Sequence, residues 1–499
     1  MLLQMRQITK TYGNLTANSD VDFSLRQGEI HALVGENGAG KTTLMRILYG
    51  MEQPSAGSIL LNGKEVVFTN PTDAIRNRIG MVHQHFMLFP SFTVAENIVI
   101  GNEPKAGLAF DRKKAASQVE ELCAKYRLPI DPNIKVAECP LGLQQRVEIL
   151  KVLYQGADII ILDEPTGVLT PLEAKELLVI MKSLAKLGKS FIIITHKLHE
   201  VMEVADRVTV LRDGKMTGTV DANATSIEEL SKLMVGRDLK QLQKRTANAG
   251  QAVLQLKDVS IHGDKGKPVL DRVNLQVKAG EIVGIAGISG NGQSELIQAI
   301  SGLQSIDQGE IQLLGKSIQG RSVRQIRDIG LSHVPEDRYQ WGAAKEGTVL
   351  ENGTMGHHKT KSRFGFLQGK ELRNMVSSFI QQFQIKAGSQ EAKVKFLSGG
   401  NLQKLIVARE IAQHQPFLIA AEPTRGVDIG AMELIHEELL RKRDEQGAIL
   451  LVSSELTEIL KLSDRIIVMY EGRIAGELSA EHATEEQISL WMAGGDSNA

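Results

Sequence analysis

Short apolar runs recur along the chain, each closed by a glycine or a carboxylate and followed by a stretch with helical spacing. HALVG (residues 31–35), DIIIL (158–162) and SFIIIT (190–195) have the length of strands and no polar alternation, as expected of strands covered on both faces. Their alternation with helical stretches predicts an α/β core built on a mostly parallel sheet. From about Phe86 to Lys151 the spacing turns helical, which predicts a helical subdomain inserted in that core. The whole pattern then starts again, with a second helical stretch from about Tyr339 to Gln413.

The repeat is exact enough to align by landmarks. Gly35 recurs at Gly287 and Gln84 is matched by Glu336, both 252 positions on. Gly142 recurs at Gly400, Asp163 is matched by Ala421 and His196 by Ser454, all 258 positions on, so six extra residues enter the second copy between the two groups. Five ordered landmarks define a duplication. The expected domains are 1–236 and 252–495, joined by a polar linker at 237–251, and the tail GGDSNA is expected to be unstructured.

Composition narrows the field. The 499 residues carry 58 basic and 59 acidic side chains, a balance that gives no sign of bulk binding to nucleic acid or to an anionic membrane. No apolar run reaches the roughly 18 residues needed to span a bilayer, and the N-terminal MLLQMRQITKTYG lacks a signal-peptide core. Cys123 and Cys139 fit neither a metal pattern nor a disulfide framework and are read as buried thiols of a cytosolic protein. Work at a membrane would require partners.

The chemistry sits at the landmarks. GENGAGKT, Gly35 to Thr42, matches G-x-x-x-x-G-K-[ST] after a strand and before a helix. Its backbone from Gly35 through Glu36, Asn37, Gly38, Ala39 and Gly40 to Lys41, Thr42 and Thr43 would cradle phosphates of ATP. Lys41 would reach the terminal ones, and Thr42 would hold Mg²⁺. DIIILDEPT delivers Asp163 as a Mg²⁺ ligand and Glu164 as the base that orients water. Gln84 is a candidate for Mg²⁺ or water, His196 for the γ-phosphate, and Tyr12 for stacking on adenine.

LSGGN, Leu397 to Asn401, completes a set that resembles the ATP-binding cassette family. More narrowly, EPTGVLTP and AAEPTRGVD resemble the tandem ATP-binding subunits of importers for simple sugars and nucleosides, and MVHQHFMLFPSFTVAENI leans to the nucleoside branch. The resemblance implies two cassettes paired head to tail within the chain, with Ser398, Gly399, Gly400 and Asp428 facing the phosphates held by Lys41. It also implies two transmembrane permease subunits as partners and an external solute-binding protein acting indirectly. The chain would then lie peripherally on the cytoplasmic side of the membrane.

The second copy departs from this set. Gln293 stands for the lysine, Ala421 for the aspartate, Glu336 for the glutamine and Ser454 for the histidine. The first signature reads CPLGL, with Pro140 in place of serine, and Thr170 stands where Asp428 would be matched. Head-to-tail pairing gathers these faults into one site, leaving one hydrolytic and one degenerate. A soluble cassette acting on ribosomes or nucleic acid is the rival class, disfavoured by the near-neutral charge, the short linker and the faulty second site. A purely regulatory nucleotide binder is disfavoured by Glu164 and the complete first set.

Overall fold

Each copy builds one six-stranded sheet whose spatial order differs from its chain order. A computed structural model describes the chain except residues 14, 84–85, 108, 168, 170, 238–247, 264–267, 289 and 496–499. Most of the expected linker, part of the tail, Gln84 and Thr170 therefore lie outside the described residues. The chain divides into two compact units, 1–239 and 240–499.

In the first unit the sheet runs Lys215–Asp221, Arg207–Arg212, Ile30–Gly35, Ser190–Thr195, Ile159–Asp163, Ile79–Val82. Neighbours are parallel except at the terminal hairpin of Arg207–Arg212 with Lys215–Asp221. The three apolar runs read from sequence fall on the central strands, and these strands are buried at every position. Such side chains contribute about 1.5–3 kcal/mol each on burial, which fixes these strands at the middle of the sheet. The second unit repeats the order with Leu331–Val334, Phe417–Ala421, Ala448–Val452, Ile282–Ala286, Arg465–Tyr470 and Arg473–Ser479.

Each unit also has a four-stranded antiparallel sheet, which the sequence pattern does not announce. In the first unit it is Leu15–Leu25, Leu3–Tyr12, Ala56–Leu61 and Lys64–Val66. Register shifts interrupt the pairing of Leu3–Tyr12 with Leu15–Leu25, and Gln7 and Asp20 take positive φ of 51° and 53°. Asp258 and Arg272 do the same in the second unit, at 49° and 48°. These irregularities break the two-residue period that would reveal the strands.

The helical subdomains are present. The first holds helices Val94–Val99, Arg112–Tyr126 and Leu141–Tyr154; the second holds Val349–Thr354, Gly369–Gln382 and Gly399–Ile411. Each also carries a small hairpin, Lys105–Ala106 with Ala109–Phe110 and Ser362–Arg363 with Phe366–Leu367. The element starts locate the six extra residues. The offset is 252 at Ile79 and Leu331, 255 at Val94 and Val349, 257 at Lys105 and Ser362, and 258 at Val136 and Val394. Half of the insertion therefore lies just after Glu336, where the second unit forms a π-helical turn at Arg338–Gly342. Cys123 and Cys139 are free and buried.

Candidate functional site

In open α/β sheets the carboxyl ends of parallel strands carry the ligands. The first unit places its loop and acidic residues there. The strand Ile30–Gly35 runs into the glycine loop, and the helix Lys41–Leu48 starts directly after it. Gly40 sits at the helix start with φ of 94°, and a Cβ there would collide with the Ala17 carbonyl and the Asn18 side chain. Only glycine fits that turn. Asn18 donates to the Gly40 carbonyl at 3.1 Å and locks it from outside.

Lys41 is buried, its ammonium donating to the carbonyls of Gly35 at 2.7 Å and Glu36 at 3.0 Å. Burial lowers its pKa, opposed by the charges of Glu164, Asp163 and Glu36. A cation held at the centre of a loop in this way is poised for a strong anion. The strand Ile159–Asp163 lies one strand from Ser190–Thr195, with Asp163 level with Ile194. Burial first, then the Glu164 charge, pushes the Asp163 carboxyl up to about 6, while Lys41, a hydrogen bond from Thr42 and Arg46 pull it down. Thr42 and Asp163 thus share one point, where burial makes the carboxylate charge costly until a cation joins it. That oxygen donor set fits Mg²⁺, which prefers one or two protein ligands beside phosphate and water.

Glu164 follows Asp163 in the left-handed region, φ 48°, held there by its N–H donating to the Ile194 carbonyl at 2.9 Å. Its carboxylate lies 3.0 Å from His196 Nδ1. Burial would raise its pKa, but the His196 hydrogen bond and charge, with Lys41 and Lys197, bring it below the ordinary value. The pair Glu164–His196 therefore keeps an ionised carboxylate beside the loop, which is what a water-orienting base needs. Thr166 donates to Glu200 at 2.6 Å, tying the acidic turn to the helix Leu198–Val204. The structure thus brings Lys41, Thr42, Asp163, Glu164 and His196 together. Tyr12 stays 43% exposed at the end of its strand, with Lys10 over its ring at 4.9 Å.

The second unit repeats the frame with different chemistry. Glu422 has φ of 47° and its N–H donates to Val452 at 2.8 Å, copying Glu164. Its carboxylate accepts from the Ser454 N–H at 2.6 Å and hydroxyl at 3.0 Å, yet burial pushes its pKa up to about 7. Gln293 folds its amide over Gly287, where a Cβ would collide with it. Ser294, the counterpart of Thr42, donates to the Glu336 carboxylate at 2.7 Å.

The two signatures also differ. Ser398 caps the helix Gly399–Ile411 and accepts from Asn401. Gly400 packs against the Gly426 carbonyl, 2.8 Å from where its Cβ would be. Asp428 caps Ile429–Asp444, accepting from Ala431 at 2.8 Å, and pairs with Lys404 at 2.7 Å. Arg338, which sequence reasoning missed, lies over Gly399 and donates to the Arg425 carbonyl at 2.8 Å. In the first unit Pro140 offers the helix Leu141–Tyr154 no side-chain cap. There the Gly142 N–H donates to Glu173 at 3.1 Å, so the chain's own carboxylate occupies the start of that helix.

The fold and loop define a duplicated phosphate-loop ATPase. The chain belongs to the ABC transporter family, whose model matches residues 18–167 and again 270–425, and as a member it binds and hydrolyses ATP. It is 46% identical, over all of its length and 99% of the relative's, to a nucleoside import ATP-binding protein of Lactococcus lactis subsp. cremoris. It is 47% identical to a guanosine import ATP-binding protein of Bacillus subtilis, covering 99% and 97% of the two chains. A ribose import ATP-binding protein of the same organism is 39% identical, covering 99% and 100%.

Proposed function

We propose that the chain is the ATP-hydrolysing subunit of an importer for a nucleoside, working on the cytoplasmic face of the membrane with two permease subunits and, indirectly, an external solute-binding protein. Similarity over the full length to nucleoside and guanosine import ATP-binding proteins supports this reading, and no helix among the described residues is long and apolar enough to cross a membrane. A simple sugar is the alternative, favoured by the similarity to the ribose relative. The cassettes are taken as 1–236 and 252–495 with a linker at 237–251, pairing head to tail.

In the active composite site, Gly35 to Thr43 bind the phosphates, Thr42 and Asp163 hold Mg²⁺, and Gln84 joins them. The metal supplies charge neutralisation to the leaving phosphate. Lys41 exchanges its carbonyl partners for phosphate oxygens. Glu164 orients water, His196 keeps Glu164 in place and faces the γ-phosphate, and Ser398, Gly399, Gly400 and Asp428 close the site from the other cassette, with Tyr12 beside the base.

The other composite site is degenerate, and two carboxylates support that beyond the missing residues. Glu336 takes the Ser294 hydroxyl that a metal would need, and Glu173 takes the helix start that a phosphate would need. In head-to-tail pairing both face the same triphosphate, adding negative charge where a cation belongs. The observation that carries the reading is the contrast between Lys41 with Asp163 and Glu164, and Gln293 with Glu336. The test is ATP hydrolysis by the complex in membranes. Glu164→Gln is expected to lower turnover by about 100-fold or more, and Glu422→Gln by less than about threefold. Equal loss from both variants defeats the one-active-site assignment.

A further inference from the structure

We propose that the hairpin at 362–367 of the second unit is a membrane-contact element that inserts its aromatic tip into the interface of an anionic lipid leaflet. The inference goes beyond the import reading and rests on it only for placing the chain near a membrane. Ser362 pairs with Leu367 and Arg363 with Phe366, leaving Phe364 and Gly365 as the two turn residues. Both have positive φ, 51° and 84°, the geometry that hairpin turns usually fill with asparagine and glycine. A phenylalanine there is strained, and it gains nothing from burial. Phe364 is 89% exposed, Phe366 80% and Leu367 54%.

The chain segment that carries this tip is basic. Between Glu351 and Glu371 the chain has no acidic residue, while Lys359, Lys361, Arg363 and Lys370 are basic. Lys359 pairs with Asp328 and Lys361 with Glu371, and Arg363 lies over the Phe364 ring at 5.6 Å. The near-neutral total charge of the chain hides this local excess. The first unit's hairpin also has basic residues in and beside it, Lys105, Arg112, Lys113 and Lys114, but Glu103 and Asp111 bracket it and Phe110 is its single aromatic residue. The paired aromatic tip of Phe364 and Phe366 is therefore particular to the second copy.

Exposed aromatic and aliphatic tips amid lysine and arginine suit the headgroup layer, where rings and chains enter and cations meet anionic lipid. Leu367 favours lipid over single-stranded nucleic acid, because an aliphatic chain gives bases no stacking surface. The position also fits a peripheral subunit, since a weak lipid contact steadies a protein whose main anchor is its permease.

The experiment is vesicle co-sedimentation of the full chain without permease. Vesicles about one-third phosphatidylserine are compared with pure phosphatidylcholine, at about 0.1 M and 0.5 M salt. Binding is expected to be about tenfold stronger to the anionic vesicles and to collapse at the higher salt. Phe364→Ser with Phe366→Ser is expected to lower it about tenfold, and Lys361→Gln with Arg363→Gln to do the same. All four side chains are outside the core, and unchanged ATP binding and melting temperature confirm that the variants fold. Failure of the unaltered chain to sediment, equal sedimentation of the variants, or release of the chain by a single-stranded RNA oligonucleotide overturns the proposal. Permease co-purification is scored separately, so that its loss counts against the import reading and not against the hairpin.

Discussion

Glu164 and Glu422 occupy the same strained backbone position on the same strand end, yet their neighbours send their pKa values apart. A histidine and Lys41 hold the first below the usual carboxylate range, while burial lifts the second to about 7 despite the hydrogen bonds from Ser454. A carboxyl raised by folding binds its proton more tightly in the folded state, so its charge costs stability at any pH above that raised value. The cost shrinks as pH falls from about 7 towards the unfolded value near 4.5, and is gone below it. Glu422→Gln removes the charge and keeps a side chain that can accept from Ser454. It is expected to stabilise the second unit by about 1–2 kcal/mol at pH 8 and by nothing near pH 4, read as the difference in melting temperature between variant and parent. A gain that does not change with pH would show that the Glu422 charge is not the cause. Glu164→Gln has the opposite sign, because it breaks a pair that stabilises the carboxylate.

The segments that follow Gln84 and Glu336 are built alike by a single buried amide. Asn97 accepts from the Phe89 N–H at 2.8 Å and donates to the carbonyls of Phe89 at 3.1 Å and Thr93 at 3.0 Å. Asn352 repeats this with Ala344 and Thr348 at 2.8, 3.1 and 2.9 Å. Each helix behind them starts with a capping box, Thr93 with Glu96 and Thr348 with Glu351. We propose the pinned segments as the permease contacts, since the first exposes Met87, Phe89 and Phe92. Asn97→Ala leaves the Phe89 N–H without its partner, a loss of about 1–3 kcal/mol concentrated in that segment. The expected result is faster amide exchange across Phe89–Phe92, with ATP binding at Lys41 unchanged and solute-coupled turnover reduced; exchange that accelerates equally in the central sheet would refute a local role. At this scale the sequence was readable where one residue type has one job. The loop, DEPT and LSGGN name their own positions, and the apolar runs name the central strands. The antiparallel sheet was not, because positive-φ residues break its period. Glu173 was not either: its contact with Gly142 joins two helices 31 positions apart and leaves no local pattern.

Taken whole, the molecule shows a duplication whose copies kept their frame and divided their chemistry. Both units have the same sheet order, the same strained glutamate and the same pinned segment, so the faults in the second loop are not the result of a decayed fold. They are replacements within an intact one: Gln293 for the lysine, Ala421 for the aspartate and Glu336 for the glutamine, while in the first unit Glu173 stands at the start of the helix that begins with Leu141. Binding stoichiometry tests this directly. Titration with ATP and Mg²⁺ is expected to give one tight site per chain, lost on Lys41→Ala. Restoring a cation alone, by Gln293→Lys, is expected to leave a second site weak, because Glu336 still holds Ser294 and still repels the triphosphate. Adding Glu336→Gln removes that charge and frees the hydroxyl, and a like-charge contact of this kind at partial exposure is worth on the order of 1–2 kcal/mol. The double variant is therefore expected to bind a second ATP about five- to thirtyfold more tightly than Gln293→Lys alone, without hydrolysing it, since Ala421 supplies no metal ligand. Two tight sites in the unaltered chain would mean that the glycine loop and helix start suffice without the lysine, and that Glu336 turns away when nucleotide arrives. The carboxylates would then be switches and not plugs.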